Sequence, residues 1–324
     1  MASDSLSVTS TAELTVDEDI SPLTRTLRIL GWTILFILCL VAFTLKKLPE
    51  ERIKNYVQGT ITSLLSEKGI SFEAERGYLS FGWGISYIMK GIKLTVPNVE
   101  TPAKIDEISV TPSILPLLIG QKGAVVWIYS GGGKMMINAS MKKNSLSLAV
   151  DSSALDLGKT GVLPVFAGIK GAALLNGTAK LTGDPMAMNT FTGDVDLKLE
   201  KISMDPQQIQ GFSLPKMNVS EAVIQLSIDK QSRVTFKNVH VGKPGNTADD
   251  IQATITGDAI LGRNFDASIL NARAKFTLSQ NILTSFVLID ALLAQGKLPG
   301  GGYGYSLTGP LGNLGSAPLA EGNR

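Results

Sequence analysis

The chain has 324 residues, and its 30 Lys and Arg residues nearly balance 28 Asp and Glu residues, for a net charge of +2. No basic block stands outside the flanks of one apolar run, which argues against nucleic acid as a partner. The 33 glycines and the 18% charged residues are typical of many short strands joined by tight turns. The length fits one large β-domain or two smaller ones.

The N-terminal region combines a polar tail with an apolar run. Residues 1–24 are rich in Ser and Thr and have no periodicity, which predicts a disordered tail. Seventeen uncharged residues then run from Ile29 to Leu45, at the lower limit for crossing a bilayer, so residues 25–47 are predicted to form a single transmembrane helix. The anchor residues on this prediction are Ile29, Trp32, Phe36, Leu40 and Leu45.

Two alternatives exist for this run. A cleavable signal peptide fits poorly, because five acidic residues and no Lys or Arg precede Arg25, and no small-residue cleavage site follows. A buried core helix is also disfavoured, since a helix apolar on all sides is unusual in a β-domain. Charge counting alone leaves the orientation open, because Lys46 and Lys47 lie on the carboxyl side and a long domain follows them.

Residues 48–69 predict an amphipathic helix. Pro49 occupies a favourable first helical position and Gly69 a stop position. The apolar side of this helix comprises Ile53, Val57, Ile61, Leu64 and Leu65.

From Ile70 onward the apolar period changes to two, which predicts a β-rich domain over residues 70–309 and a flexible tail over 310–324. The expected fold is mainly β, a curved antiparallel sheet (open barrel or taco-like) with a few short helices, including segments at 112–120 and 279–296. A change of parity predicts a β-bulge near Lys237 and Asn238. The candidate apolar sheet face consists of Leu146, Leu148, Val150, Val195, Leu197, Leu199, Ile224, Leu226 and Ile228. Alternation leaves open whether this face is a sealed core or a lipid groove.

The sequence offers little for catalysis. Its one histidine, His240, lies in an alternating segment that predicts a strand surface, and its one cysteine, Cys39, lies in the apolar run. The segment LGKTG at 157–161 lacks the first glycine of a phosphate-binding loop, and Asp249 and Asp250 are adjacent, a poor arrangement for paired carboxylates. We therefore expect a non-enzymatic protein with no catalytic residue, no cofactor and no metal site.

The order of segments resembles the type II secretion system protein GspN family. The resemblance rests on the segment EISVTPSILPLLIG ending at Gly120, the strand Ala124 to Tyr129, the glycine turn at 131–133 and the C-terminal YGYSLTGPLGN. It covers most of residues 28–314 and also extends to the AsmA-like envelope proteins. These motifs of small and apolar residues are moderately specific.

The resemblance implies a function as well as a fold. It implies a single-pass bacterial inner-membrane protein, with a cytoplasmic tail and its β-domain in the periplasm, that acts as a non-enzymatic component or accessory of type II secretion. Its partners would be other secretion-system subunits. The alternative, which follows the AsmA-like resemblance, is a lipid-binding or lipid-transfer protein with an apolar groove and phospholipid as its ligand.

Overall fold

The computed structural model describes residues 32, 33, 35, 36, 39, 50–67, 69–81, 84–97, 99, 101–113, 120–209, 212–285 and 289–319. The chain divides into two compact units, Met1–Ile53 and Lys54–Arg324. The second unit contains every strand, and the fold below is that of this unit.

The protein is mainly β, with 60% of the residues that the structure describes in strands, and it has a few short helices. The strands are β1 (Ser71–Phe81), β2 (Ile85–Thr95), β3 (Ala103–Pro112), β4 (Lys122–Ser130), β5 (Gly133–Lys142), β6 (Ser145–Asp156), β7 (Gly171–Asp184), β8 (Ala187–Met204), β9 (Gln207–Ile209), β10 (Phe212–Leu214), β11 (Met217–Ile228), β12 (Arg233–Val241), β13 (Ile251–Ile260), β14 (Ile269–Leu278), β15 (Tyr303–Pro310) and β16 (Gly315–Pro318). The helices are α1 (Glu50–Ser66), α2 (Leu157–Thr160), α3 (Val162–Ala167), α4 (Gln280–Ser285) and α5 (Ile289–Leu293).

Fourteen strands form one antiparallel sheet in which nearly every strand pairs with its neighbour in sequence. The exception is the pairing of β8 with β11, because β9 and β10 form a small separate hairpin between them. The sheet does not close on itself, so β1 and β16 are its two edges. At roughly 4.8 Å between strands, its width measured along the sheet is about 60 Å.

The predicted β-bulge is confirmed. The register between β11 and β12 passes from Gln225 opposite Asn238 to Leu226 opposite Phe236, which leaves Lys237 as the extra residue. Because one extra residue reverses the alternation, Phe236 and Val239 both stay on the apolar side of the sheet.

Full burial of apolar side chains is concentrated toward the two ends of the sheet. At the N-terminal end, Met89 and Ile92 on β2 are each 1% exposed. Toward the C-terminal end, Ala272 on β14, Ile282 on α4 and Tyr303 on β15 are buried. Between them, strand β11 carries four side chains that are also buried, at 7–9% exposure: Met217, Val219, Ala222 and Val223.

Helices α2 and α3 cover the ends of β3 and β7. Asp156 caps α2 by accepting hydrogen bonds from the backbone N–H groups of Gly158 and Lys159, at 3.1 and 3.0 Å. Thr160 is buried at the end of α2, next to the fully buried Ala103 of β3. The segment LGKTG therefore consists of the short, packed helix α2 and its C-cap, Gly161.

The predicted amphipathic helix is present as α1. Val57, Ile61 and Leu65 are partly buried on one side, whereas Leu64, which we had placed on that side, is 60% exposed. The side chain of Ile53 lies outside the described residues.

Most of the predicted membrane anchor also lies outside the described residues, including Ile29, Leu40 and Leu45. Trp32 and Phe36 are helical, and each is 67% exposed. Within the described part of the chain, no helix has both the length and the apolar character needed to cross a membrane.

Two predicted helices and the C-terminal tail differ in detail from the expectation. Pro112 belongs to β3, and residues 114–119 lie outside the described part. The segment 279–296 contains α4, α5 and a 3₁₀ turn at Ala294–Gly296. The Ser279 Oγ accepts a hydrogen bond from the N–H of Ile282 at 3.4 Å, at the start of α4. The tail contains strand β16, which pairs with β15.

Candidate functional site

The residues of the candidate apolar face align in a continuous row across the sheet. Residues directly opposite each other in an antiparallel pair lie on the same face, so the register traces that face from strand to strand. One row crosses ten strands through Leu79, Tyr87, Val110, Val126, Ile137, Val150, Ala179, Val195, Leu226 and Phe236.

A second apolar row runs beside the first toward the C-terminal edge. It passes through Gly177, Leu197, Ile224, Val239, Ile255, Ala274 and Tyr305. All nine residues predicted from the sequence therefore belong to one face. Those of β8 and β11 are directly paired, whereas those of β6 are separated from β8 by β7.

All nine predicted residues are half-buried, and none is in the fully buried core. In a sheet covered by a second layer, Leu, Ile and Val on the inner face are most often fully buried. The nine side chains at the centre of this face therefore form an apolar surface that is only partly covered.

In the middle of this face, strand β7 carries small side chains between the larger ones of β6 and β8, and we call this part of β7 the low strip. The residues it places there include Gly177 and Ala179, which stand between the larger side chains of β6 and β8. Two large residues, Leu175 and Leu181, flank these small ones on β7, and the ring of Phe191 lies over Gly183 at the end of the strip. A strip of small residues between two rows of Leu and Val is a shape that suits an extended apolar chain.

From β7 to β15 the opposite face of the sheet is polar. A row on this face passes through Lys180, Asp194, Ser227, Thr235, Asp258, Asn271 and Thr308. The ion pair between Lys237 Nζ and Asp194 Oδ1, at 2.8 Å, lies on this face. The sheet is thus amphipathic from β7 to β15, whereas at β4 and β5 Trp127 and Met136 are apolar residues on this second face.

A small open cleft of about 260 Å³ lies near the C-terminal end of the apolar face. Val241, Ala253 and Phe276 line it from three adjacent strands, and Leu298 lines it from the loop before β15. The ring of Phe276 also contacts that of Tyr303, with centroids 5.4 Å apart. This aromatic end continues the apolar face.

Asp249 and Asp250 lie in the loop before β13 and connect this loop to β11 through hydrogen bonds. Asp249 is buried and accepts hydrogen bonds from Ser220 N at 2.6 Å, Ser220 Oγ at 2.8 Å and Lys243 N at 2.7 Å. Burial raises the pKa of Asp249, but these hydrogen bonds together hold it below its ordinary value.

Asp250 has different partners, since it accepts Asn218 N at 2.8 Å and the Ser279 hydroxyl at 2.6 Å. Because their partners differ, the two carboxylates act as separate structural acceptors.

Tyr303 and Asp290 connect α5 to β15. The buried Tyr303 hydroxyl donates to Asp290 Oδ1 at 2.5 Å, and Lys297 Nζ lies 3.1 Å from the same oxygen. The hydrogen bond to Asp290, together with burial, raises the pKa of Tyr303 to about 12. The hydrogen bonds from Tyr303 and Lys297 lower the pKa of Asp290.

His240 lies on β12, as predicted, with its Nδ1 3.0 Å from Asn238 Oδ1 and its Nε2 3.7 Å from Glu221 Oε1. Glu221 also pairs with Lys198 at 3.2 Å. Among the residues that the structure describes, no three His, Cys, Asp or Glu side chains are grouped to hold a metal ion.

Sequence reasoning missed the part of the apolar face that comes from β2 to β5. In β2 the apolar positions change from Met89 to Ile92 across Gly91, whose φ is +61°. This change of parity hides the alternation, although a glycine inside a strand is itself a signal of an irregularity.

The chain matches no protein-family model, no curated protein and no solved structure.

Proposed function

We propose that this chain is a non-enzymatic, membrane-anchored envelope protein whose antiparallel sheet binds lipid acyl chains on its apolar face. The observation that carries the proposal is the half-burial of all nine face residues on one continuous apolar surface. Acyl chains match such a surface because they need apolar contact area and no hydrogen-bond partners.

The low strip along β7 supports the same ligand class. Gly177 and Ala179 leave space between Val150 on β6 and Val195 on β8, which suits an unbranched chain. Curvature of the sheet into an open-barrel or taco-like form would increase the contact with such a chain. The apolar run from Ile29 to Leu45 would hold the sheet close to a lipid source in the inner membrane.

Site-specific photocrosslinking in cells tests this proposal with the full chain. A benzophenone amino acid at position 197 would lie on the apolar face, and the same group at position 182, normally Thr182, would lie on the polar face as a matched control. We expect lipid adducts at position 197 and none at position 182. Equal labelling at both positions, or adducts only with the chain's own peptides at position 197, would contradict lipid binding.

A second candidate function is a component or accessory of type II secretion. It is supported by the resemblance to the GspN family and by the arrangement of the segments that carry it. Strand β4 contains the segment Ala124 to Tyr129, Gly131 and Gly132 form the following turn, and β15 contains most of the C-terminal motif. In this candidate the periplasmic domain contacts other secretion-system subunits.

Deletion of the gene in its own bacterium tests the second candidate. Secreted proteins should then accumulate in the periplasm, and expression of the full chain should restore their release. Unchanged secretion in the deletion strain would exclude an essential role in this machinery. The lipid adduct test is independent of that result, so either function can fail alone.

A further inference from the structure

The two edges of the sheet differ in their protection against pairing with another strand. Strand β16 has four residues and ends at Pro318, two features that limit pairing at an edge. Strand β1 has eleven residues and contains neither Pro nor Lys. Its charged residues, Glu73, Glu75 and Arg76, give it some protection, but its length leaves many more backbone groups for a partner than β16 offers, so β1 is the edge that is more open to a partner.

The faces of β1 follow from its register with β2. Phe72 and Ala74 lie opposite Leu94 and Ile92, and Gly77 and Leu79 lie opposite Met89 and Tyr87. These four residues of β1 therefore continue the apolar face. The apolar positions change from even to odd numbers between Ala74 and Gly77, where the register skips Glu75 opposite Gly91.

This pattern makes β1 complementary to itself. Two copies of β1 can run antiparallel about a two-fold axis that lies between Glu75 and Arg76. Each residue then faces a residue of the other copy, and the numbers of the two facing residues add up to 151. Apolar residues then face apolar residues, as Phe72 with Leu79 and Ala74 with Gly77. Glu75 of each copy faces Arg76 of the other.

The charges at the centre of β1 favour this arrangement. Arg76 is exposed, lies opposite Lys90 in its own sheet and has no ion pair with any residue that the structure describes. Glu75 pairs with Lys93 at 3.1 Å, but its side chain is 62% exposed and can accept a second cation. A second copy would supply Glu75 to Arg76 and thereby offset the repulsion from Lys90.

We propose that this protein forms a two-fold symmetric homodimer through antiparallel pairing of the β1 strands of two copies. The interface is isologous, because the same strand serves both sides. The pairing joins the two apolar faces into one surface of 28 strands. The proposal does not depend on lipid binding, because edge pairing uses backbone hydrogen bonds and the charges of β1.

Charge reversal tests the pairing with the full chain in detergent, by sedimentation velocity. Glu75→Arg alone places arginines opposite arginines, and Arg76→Glu alone places glutamates opposite glutamates. Each variant should dimerise at least about tenfold more weakly than the native chain. In an equimolar mixture of the two variants, all four facing charges become complementary, so heterodimers should form with native strength.

This rescue distinguishes an interface from misfolding, since a misfolded variant would not recover on mixing. A native chain that stays monomeric, or single variants that dimerise as strongly as the native chain, would overturn the proposal. The second result would also indicate that another segment, such as the apolar run, holds the copies together.

Disulfide trapping tests the register. In a Cys39→Ser background, Ser71→Cys and Ser80→Cys are introduced into separate chains. The paired positions would have Cα atoms about 4.5–5.5 Å apart, within the range of a disulfide. Mixing the two chains under mild oxidation should give covalent dimers, and each chain alone should give none. Equal cross-linking in the single-variant samples would contradict this register.

Discussion

Leu197 on β8 lies directly opposite Ile224 on β11, and both side chains are half-buried on the apolar face of the sheet. This contact is at the centre of the surface that we propose for lipid, so its loss should affect both folding and ligand contact.

Replacing Leu197 with Asp should lower the free energy of unfolding by about 1–2 kcal/mol, because a carboxylate loses hydration on a partly buried apolar surface. Thr182→Asp on the polar face should change stability by less than about 0.5 kcal/mol. Urea denaturation of the full chain in detergent measures both variants. An unchanged midpoint for Leu197→Asp would mean that this position is not buried in solution.

Gly193 should not tolerate a side chain. Its φ is +143°, and a Cβ there would overlap the carbonyl oxygen of Lys180 on the neighbouring strand. Gly193→Ala should therefore destabilise the domain by about 1–3 kcal/mol. Gly59→Ala in α1 is the matched control, since nothing lies within 4 Å of the added Cβ and the helix should gain about 0.5–1 kcal/mol. If both variants destabilise the domain, the loss of stability in Gly193→Ala cannot be attributed to the overlap of the new Cβ with Lys180.

Asp249→Ala should destabilise the domain by about 2–4 kcal/mol, because it leaves the backbone N–H groups of Ser220 and Lys243 without their acceptor in a buried site. Ser153→Ala, an exposed change in β6, is the control. Thermal unfolding at neutral pH measures the difference. Equal midpoints for Asp249→Ala and the control would show that the hydrogen bonds of Asp249 do not stabilise this loop.

The same carboxylate gives a pH dependence with a definite sign. Because the folded-state pKa of Asp249 is below its ordinary value, its contribution is present above the unfolded pKa of about 3.9 and is lost as the pH falls below it. Native protein should lose more stability than the Asp249→Ala variant between about pH 5 and pH 2. Parallel stability curves over that interval would argue against this linkage.

Tyr303 should titrate well above the ordinary pKa of a tyrosine side chain. Its pKa is raised to about 12, so its stabilising hydrogen bond to Asp290 is fully present below the unfolded pKa of about 10 and is lost as the pH rises through about 12. The absorbance difference between native protein and Tyr303→Phe should show one phenol ionising near pH 12. A difference centred near pH 10 would contradict the hydrogen-bonded state.

Period-two alternation was sufficient to predict a mainly β protein and the nine residues of the central apolar face. It succeeds where strands are regular, as at Val195, Leu197 and Leu199 in β8. The bulge at Lys237 was also predictable, because a single extra residue shifts apolar parity in a visible way. The sequence could not decide whether the face was covered, since alternation is the same for a sealed core and an open surface.

Other elements depend on contacts distant in sequence. Helix α2 has only four residues and owes its place to the Asp156 cap and to the burial of Thr160 beside β3. Strand β16 lies in a segment of Gly, Ser, Ala and Pro with no apolar alternation, and it forms because the edge of β15 offers backbone partners. Local propensity carries no signal for either element.

The sequential order of strands has a consequence for how the domain is made. Each strand from β2 to β8 pairs with the one just before it. Except between β6 and β7, where α2 and α3 intervene, each hairpin needs only a short loop to close and can form as soon as its second strand is available. The sheet can therefore grow from its N-terminal edge while the rest of the chain is still being synthesised or translocated. Such growth adds only the most recent strand as a transient edge beside the permanent edge at β1, which limits the ways in which two chains can misassemble.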